Sequence, residues 1–222
     1  MEDLTLIIPA KNEKESLPKV LEELKEFRLK KVIILEKTDI KTIEAIKEYD
    51  CEILFQHNKG YGDALIQGIN HVNTEYFCIF NADGSFNPIE LQTMIDKIKS
   101  DNFDLIFASR YEKNCSSDDD TMVTFIGNFF FTKLGKFLFG LNITDILYTF
   151  VLGRTLKIRN LNLKSKDFVF CVELPITAKR KGLKIETSKS NERARFGGVK
   201  KVNAFRDGLL ILIGMLKLFF LK

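Results

Sequence analysis

Tyr76-Phe77-Cys78-Ile79-Phe80-Asn81-Ala82-Asp83-Gly84-Ser85 is an apolar run that ends abruptly in a polar cluster with one carboxylate. The run is short, aromatic-rich and closed by a turn signal, which predicts a buried strand. Asn81, Ala82 and Asp83 then fall at the strand's C-terminal end, where open α/β sheets place their ligands. A carboxylate there is suited to hold a divalent cation against a diphosphate. Taken alone, the same residues also fit an ordinary Asn/Asp/Gly turn.

Outward from this stretch, apolar strands alternate with amphipathic helices. Strands are predicted at 4–8, stopped by Pro9, and at 32–35, 52–55, 76–80 and 104–108. Helices are predicted from the Asn12–Ser16 cluster to about Phe27, at 40–49, after Gly60-Tyr61-Gly62, and from near Pro88 to about Lys99. Such alternation implies right-handed βαβ units, hence an α/β fold with a mainly parallel central sheet flanked by helices. After Arg110 the pattern changes to a polar acidic loop at 114–120, a Phe-rich helix at 122–140 and a helix at 167–182. A basic loop at 193–201 and an apolar terminal helix at 209–222 follow. The expected organisation is one domain over 1–202, with 203–222 as an apolar helix suited to a membrane interface.

Composition narrows the function. A length of 222 residues suits one domain, and 45% hydrophobic content is enough for a core. A formal charge of +4 is mild and mixed, so a nucleic-acid partner is not indicated. Lys and Arg gather between Lys179 and Lys201, which points to an anionic ligand or membrane surface at that end. The cysteines Cys51, Cys78, Cys115 and Cys171 are too scattered for a metal site and indicate a reducing compartment. With a strand beginning almost at the first residue, no signal peptide is expected, and no apolar run has the length of a membrane span.

Several motifs, in order, resemble those of the inverting family 2 glycosyltransferases of GT-A fold. Ile8-Pro9-Ala10-Lys11-Asn12-Glu13 is similar to the family's first strand-end motif, which cradles the nucleobase and ribose. Glu36 stands where the second acid of an Asp-Asp-Gly-Ser motif contacts the base, although Leu35 and Lys37 depart from it. Asn58-Lys59-Gly60-Tyr61-Gly62-Asp63 resembles the glycine-rich segment, and Asn81-Ala82-Asp83 the Asp-x-Asp metal motif with Asn for the first acid. Ala108-Ser109-Arg110-Tyr111 is similar to a Gly-Ser-Arg-Tyr segment. Later pieces resemble the dolichyl- and polyprenyl-phosphate sugar transferase branch. These are Gly127-Asn128, Phe139-Gly140, Thr144-Asp145, Phe150 with Arg154, Phe170 with Glu173, and Arg195-Phe196-Gly197-Gly198 through Lys201.

The resemblance implies transfer of a hexose from a UDP- or GDP-sugar to polyprenyl phosphate with inversion. Alternatives are transfer to a glycan hydroxyl, or a catalytically weak nucleotide-sugar-binding subunit. It implies Mg²⁺ or Mn²⁺ on Asp83, with Asn81 a weaker ligand offering only a neutral oxygen. Pro9, Ala10, Asn12, Glu13, Glu36, Lys59, Gly60, Asn81, Ala82 and Asp83 are then expected to bind the nucleotide sugar. Asp83, Arg110, Asp145 and Glu173 are expected in catalysis, and Arg110, Asn128, Arg195 and Lys201 at the acceptor phosphate.

Plainer readings stand beside these. Asn12-Glu13 also fits helix capping, Lys59 surface charge, and Lys201 a solvated basic loop. Asp145 and Glu173 read either as orienting acids or as partners of the basic loop. Phe129, Phe130, Phe131, Phe137 and Phe139 with Lys133 and Lys136 resemble an interfacial helix. Peripheral contact with the inner face of the cytoplasmic membrane, or a membrane partner subunit, is therefore expected.

Overall fold

A computed structural model describes residues 3–198 and 201–220. The expected motif residues Val199 and Lys200, and the helix end at 221–222, lie outside the described residues. Among the described residues, seven strands form one sheet: β1 (Leu4–Pro9), β2 (Lys30–Leu35), β3 (Glu52–Phe55), β4 (Tyr76–Ile79), β5 (Leu105–Ser109), β6 (Val151–Arg154) and β7 (Ile185–Lys189). Their order is β3-β2-β1-β4-β6-β5-β7. All neighbours are parallel except β6, which runs antiparallel to both β4 and β5.

The α-helices among the described residues are α1 (Leu17–Glu23), α2 (Ile40–Ile46), α3 (Tyr61–His71), α4 (Glu90–Ser100), α5 (Met122–Phe139), α6 (Thr155–Arg159), α7 (Phe170–Arg180) and α8 (Ala204–Phe220). Central strands are apolar on both faces because helices cover both. Leu6, Ile8 and Cys78 pack with Leu17, Leu21 and Met94 on one side; Ile7, Phe77 and Ile79 pack with Leu65, Phe170 and Met215 on the other. Phe80, Phe86 and Phe150 interlock at ring separations of 4.7 to 5.7 Å and are fully buried. Truncating such a ring to Ala costs about 3–5 kcal/mol.

The expected strand–helix alternation is present up to Ser109, with shifted ends. The Asn12–Ser16 cluster leads into the first helix as expected: Asn12 is left-handed (φ 54°), Ser16 is the N-cap and the helix starts at Leu17. A 3₁₀ turn over Leu24–Phe27 ends it. α2, α5 and α7 are each shorter than expected, while α8 starts earlier, at Ala204.

β6, α6 and β7 were not foreseen. β6 is four residues long and contains Gly153, where an added Cβ would lie 2.8 Å from Leu105 and 2.9 Å from Phe77. Its glycine lets it insert between two strands, while depriving it of any alternating pattern. Arg154, read by resemblance as part of a motif, pairs with Tyr76 at the N-terminal end of β4, away from the ligand edge. There it binds Glu75 at 2.9 Å and the Phe103 carbonyl at 3.1 Å.

Candidate active site

Four parallel strands deliver their following loops to one edge of the sheet: Ala10–Glu13 after β1, Glu36 after β2, Asn81–Ser85 after β4 and Arg110 after β5. Arg193, Arg195, Phe196 and Lys201 make contacts across them. Pro9 closes β1, and the Ala10 amide donates to the Ile34 carbonyl at 2.8 Å, which turns the chain toward this edge. Ala10 and Ala82 are both buried there.

Asn12 and Glu13 are fixed by α2. The Asn12 amide donates to Asp39 at 2.6 Å, and the Glu13 amide donates to the Thr42 hydroxyl at 3.0 Å. Ser16 Oγ donates to the Glu13 carboxylate at 2.6 Å, and Lys201 Nζ stands 3.1 Å from it. Glu13 therefore ties the basic loop to the first strand end instead of capping α1. Glu36, more exposed, pairs with Lys11 at 3.3 Å.

Asp83 is buried at 8% exposure. Its Oδ1 accepts the Ser85 amide at 3.0 Å, and its Oδ2 lies 3.5 Å from Arg195 Nη1. Arg195 Nε also reaches both oxygens of Asp119 at 3.1 Å, so one guanidinium bridges two carboxylates. The loop is stitched down on either side. The Phe196 amide donates to the Asp83 carbonyl at 2.8 Å, and the Phe196 ring covers Gly84, where a Cβ would sit 2.3 Å from it. Arg193 donates to the Gly84 and Phe86 carbonyls and pairs with Glu23 at 2.9 Å. Asn81 Nδ2 donates to Ser85 Oγ at 3.3 Å.

Arg110 and Asp145 form the most buried charged pair at the site. Asp145 is fully buried and accepts the Arg110 amide at 3.1 Å, Nε at 2.8 Å and Nη2 at 3.0 Å. Asn128, inside α5, donates a further short bond to Asp145. Arg110 Nη1 reaches Glu192 at 3.0 Å, and Ser117 donates to the same carboxylate. Burial pulls the Arg110 guanidinium down, but Asp145 and Glu192 outweigh it and hold the group firmly charged. Burial pushes the Glu192 carboxyl up, against the opposing pull of Arg110. Arg110 and Asn128, expected at the acceptor phosphate, thus have their donors turned onto acids of the protein.

Glu173 lies elsewhere. Its carboxylate accepts the amides of Lys164 at 3.0 Å and Ser165 at 2.8 Å, not a group of the basic loop. The segment it pins presses on the glycine-rich turn. A Cβ on Gly60 (φ +123°) would lie 2.1 Å from the Lys166 carbonyl, and one on Gly62 2.1 Å from the Ser165 carbonyl. Gly60 and Gly62 therefore admit protein backbone, and Glu173 positions the loop that fills the space. Lys59 is exposed beside them.

Glu192, Asp119 and Arg193 escaped sequence reasoning. Each is an unremarkable charge in a polar loop, and its importance comes from a partner distant in the chain. Within the polar acidic loop expected at 114–120, Asp119 meets Arg195, and Asp120 accepts from Tyr111.

Among the described residues, no group of three His, Cys, Asp or Glu side chains could hold a metal ion. Asp83 alone offers a carboxylate beside the Asn81 amide. That donor set fits a hard divalent cation only when phosphate oxygens complete the coordination, which is how Mg²⁺ is commonly held.

A largely parallel sheet with an acid after its fourth strand and a basic loop across its ligand edge defines a GT-A nucleotide-diphospho-sugar transferase fold. The chain belongs to glycosyl transferase family 2, whose family profile matches residues 5–161. It is similar to the UDP-N-acetylglucosamine–dolichyl-phosphate N-acetylglucosaminyltransferase of Methanococcus voltae, 25% identical over 205 residues, covering 81% of each protein. It is also similar to the glycosyltransferase AglJ of Haloferax volcanii, 20% identical over 212 residues, covering 94% of this chain and 69% of AglJ. Among solved structures, glucosyl-3-phosphoglycerate synthase of Mycobacterium tuberculosis with Mn²⁺, UDP and glucosyl-3-phosphoglycerate superposes with a TM-score of 0.78. The identity is 11%, with 99% of this chain and 80% of that chain covered. The protein is thus a family 2 glycosyltransferase with the fold expected from its motifs.

Proposed function

We propose that the protein transfers a hexose from a nucleoside diphosphate sugar, UDP- or GDP-linked, to polyprenyl phosphate with inversion. The observation that carries this reading is the state of Asp145. It has no exposed surface, and its oxygens already accept from Arg110 and Asn128. An acid in that condition is not available to take a proton from a sugar hydroxyl. A phosphate acceptor needs no such base, because its attacking oxygen is already ionised. The similarity to the dolichyl-phosphate N-acetylglucosaminyltransferase of Methanococcus voltae supports the same acceptor class.

In this reading, Ala10, Asn12, Glu13 and Glu36 receive the nucleoside. Asp83, with Asn81, would hold the cation–diphosphate end of the donor. The acceptor phosphate oxygen attacks the anomeric carbon from the face opposite the leaving group. The C1–O bond breaks, and its electron pair departs with the nucleoside diphosphate. A divalent cation on Asp83 would supply Lewis-acid neutralisation of that charge. Arg195 and Lys201 are the cations of the overlying loop, placed to meet phosphate oxygens once they leave Asp83 and Glu13.

The apolar side of α5 and α8 supports work at a membrane face. Phe125, Phe129, Phe130 and Phe137 on α5, and Phe205 and Leu209 on α8, are exposed, and the two helices pack together. Lys133, Lys136 and Lys217 lie on the same helices. Aromatic side chains with basic neighbours suit an interface with anionic lipid. No helix among the described residues is long and apolar enough to cross a membrane.

A transfer assay with radiolabelled UDP- and GDP-sugars, offering polyprenyl phosphate beside glycan acceptors, tests this function. Label extracted with the lipid phosphate is the expected result. Label only in water-soluble glycan overturns it.

A further inference from the structure

A second concave region lies at the opposite edge of the sheet, where the segments entering β2, β3 and β4 converge. It encloses about 660 Å³, and its lining includes Arg28, Lys30, Lys31, Asp50, Cys51 and His71. No residue of the donor or acceptor site takes part.

Lys31 distinguishes this groove from a merely basic surface. It is 8% exposed, and its ammonium donates to the Leu29 carbonyl at 2.9 Å. Among the described residues, no carboxylate lies within ion-pair distance of it. An ammonium carries three donors, and a buried charge with one neutral acceptor is costly unless something neutralises it. The half-buried Cys51 thiol registers the charge: burial pushes its pKa up, and Lys31 pulls it back.

The rim repeats the imbalance. Arg28 and Lys30 are exposed and have no acidic partner among the described residues, whereas Lys25 is matched by Glu22 at 2.6 Å. The acids lining the groove are Asp50 and Glu52, and Glu52 is hydrogen-bonded to His71 at 2.6 Å. Arg28, Lys30 and Lys31 thus line one cavity and outnumber its two acids, neither of which pairs with them. Its volume lies within the roughly 300–1,000 Å³ of small-molecule sites.

We propose that this groove is a second ligand site, which binds a phosphomonoester of nucleotide size. Lys31 is its buried anchor, and Arg28 and Lys30 close on the phosphate from the rim. An arginine fork matches two phosphate oxygens, and a lysine adds a point charge. The site stands apart from the donor site, so it does not depend on the acceptor assignment above.

Isothermal calorimetry of the full chain with AMP, without divalent cation, tests the proposal. Binding is expected in wild type and in Asp83→Asn alike. It is expected to weaken at least tenfold in Lys31→Met and in the double variant Arg28→Ala/Lys30→Ala. The double variant changes only exposed side chains, so it decides the matter even if Lys31→Met fails to fold. Absence of binding to wild type overturns the proposal. So does binding that is lost in Asp83→Asn but kept in the rim variant.

Discussion

Arg195 Nη1 stands 3.5 Å from Asp83 Oδ2, so the carboxylate suited to a divalent cation faces an arginine of the overlying loop. Both groups are largely buried, and such a pair is screened less than a surface ion pair. A cation held by Asp83 would compete with the guanidinium for the same oxygen. Replacing Arg195 by Ala is expected to tighten Mn²⁺ binding to the nucleotide-free protein by roughly fivefold, about 1 kcal/mol. Transfer activity is expected to fall, because the same side chain is proposed to meet phosphate. Electron paramagnetic resonance of free Mn²⁺ reads the first effect; unchanged Mn²⁺ affinity would show that the contact does not limit the site.

Asp83→Asn removes the one carboxylate of that donor set. Metal-stimulated binding of UDP or GDP is expected to disappear, and transfer to drop by roughly 100-fold or more. Asn81→Asp should act in the opposite direction on metal affinity, by roughly tenfold, because a second anionic oxygen is supplied. Calorimetry with and without Mn²⁺ measures both. Full metal-independent nucleotide binding, with no transfer in wild type, would favour a nucleotide-sugar-binding subunit.

Asp145→Ala leaves the Arg110 guanidinium buried with Glu192 as its remaining acid. Breaking a buried pair by removing one partner costs about 3–5 kcal/mol. A large fall in the denaturation midpoint is therefore expected, together with lost activity. If stability is unchanged and only catalysis fails, Asp145 acts on the substrate directly, which would revive a hydroxyl acceptor.

Glu192 gives a pH-dependent stability with a defined sign. Burial raises its folded pKa above the ordinary carboxylate value. The folded state then binds more protons than the unfolded chain between those two values. Its contribution to stability is fully present below the unfolded value of about 4.3, and is lost as pH rises through the folded one. Urea unfolding from pH 4 upward should show wild type losing stability relative to Glu192→Gln across that window. A difference that is flat or rises with pH contradicts the assignment.

Membrane contact predicts a loss without unfolding. Phe130→Glu combined with Leu209→Glu changes exposed positions of α5 and α8. Co-sedimentation with vesicles containing anionic lipid is expected to fall at least threefold, with the thermal midpoint little changed. Equal sedimentation of both proteins would leave the apolar side to a protein partner.

Much of the fold was legible because it is written locally. Leu4–Ile8, Val32–Leu35 and Tyr76–Phe80 are apolar runs of strand length, and the loops that follow them carry the polar residues of the ligand edge. A parallel sheet then brings Ala10–Glu13, Asn81–Asp83 and Arg110 together by geometry alone. The chain order of its motifs likewise identified the family.

Tertiary structure decided what depends on partners far apart in sequence. β6 gained its place between β4 and β5 because Gly153 leaves room for Phe77 and Leu105, which no periodicity announces. Arg110 finds Glu192 across 82 positions, and Arg195 finds Asp119 across 76. Glu173 turned out to anchor the segment that fills the glycine-rich turn, although its position suggested catalysis. A charge in a sequence shows its sign but not its counter-charge. Folding selects that partner, through the cost of burying any charge left unmatched.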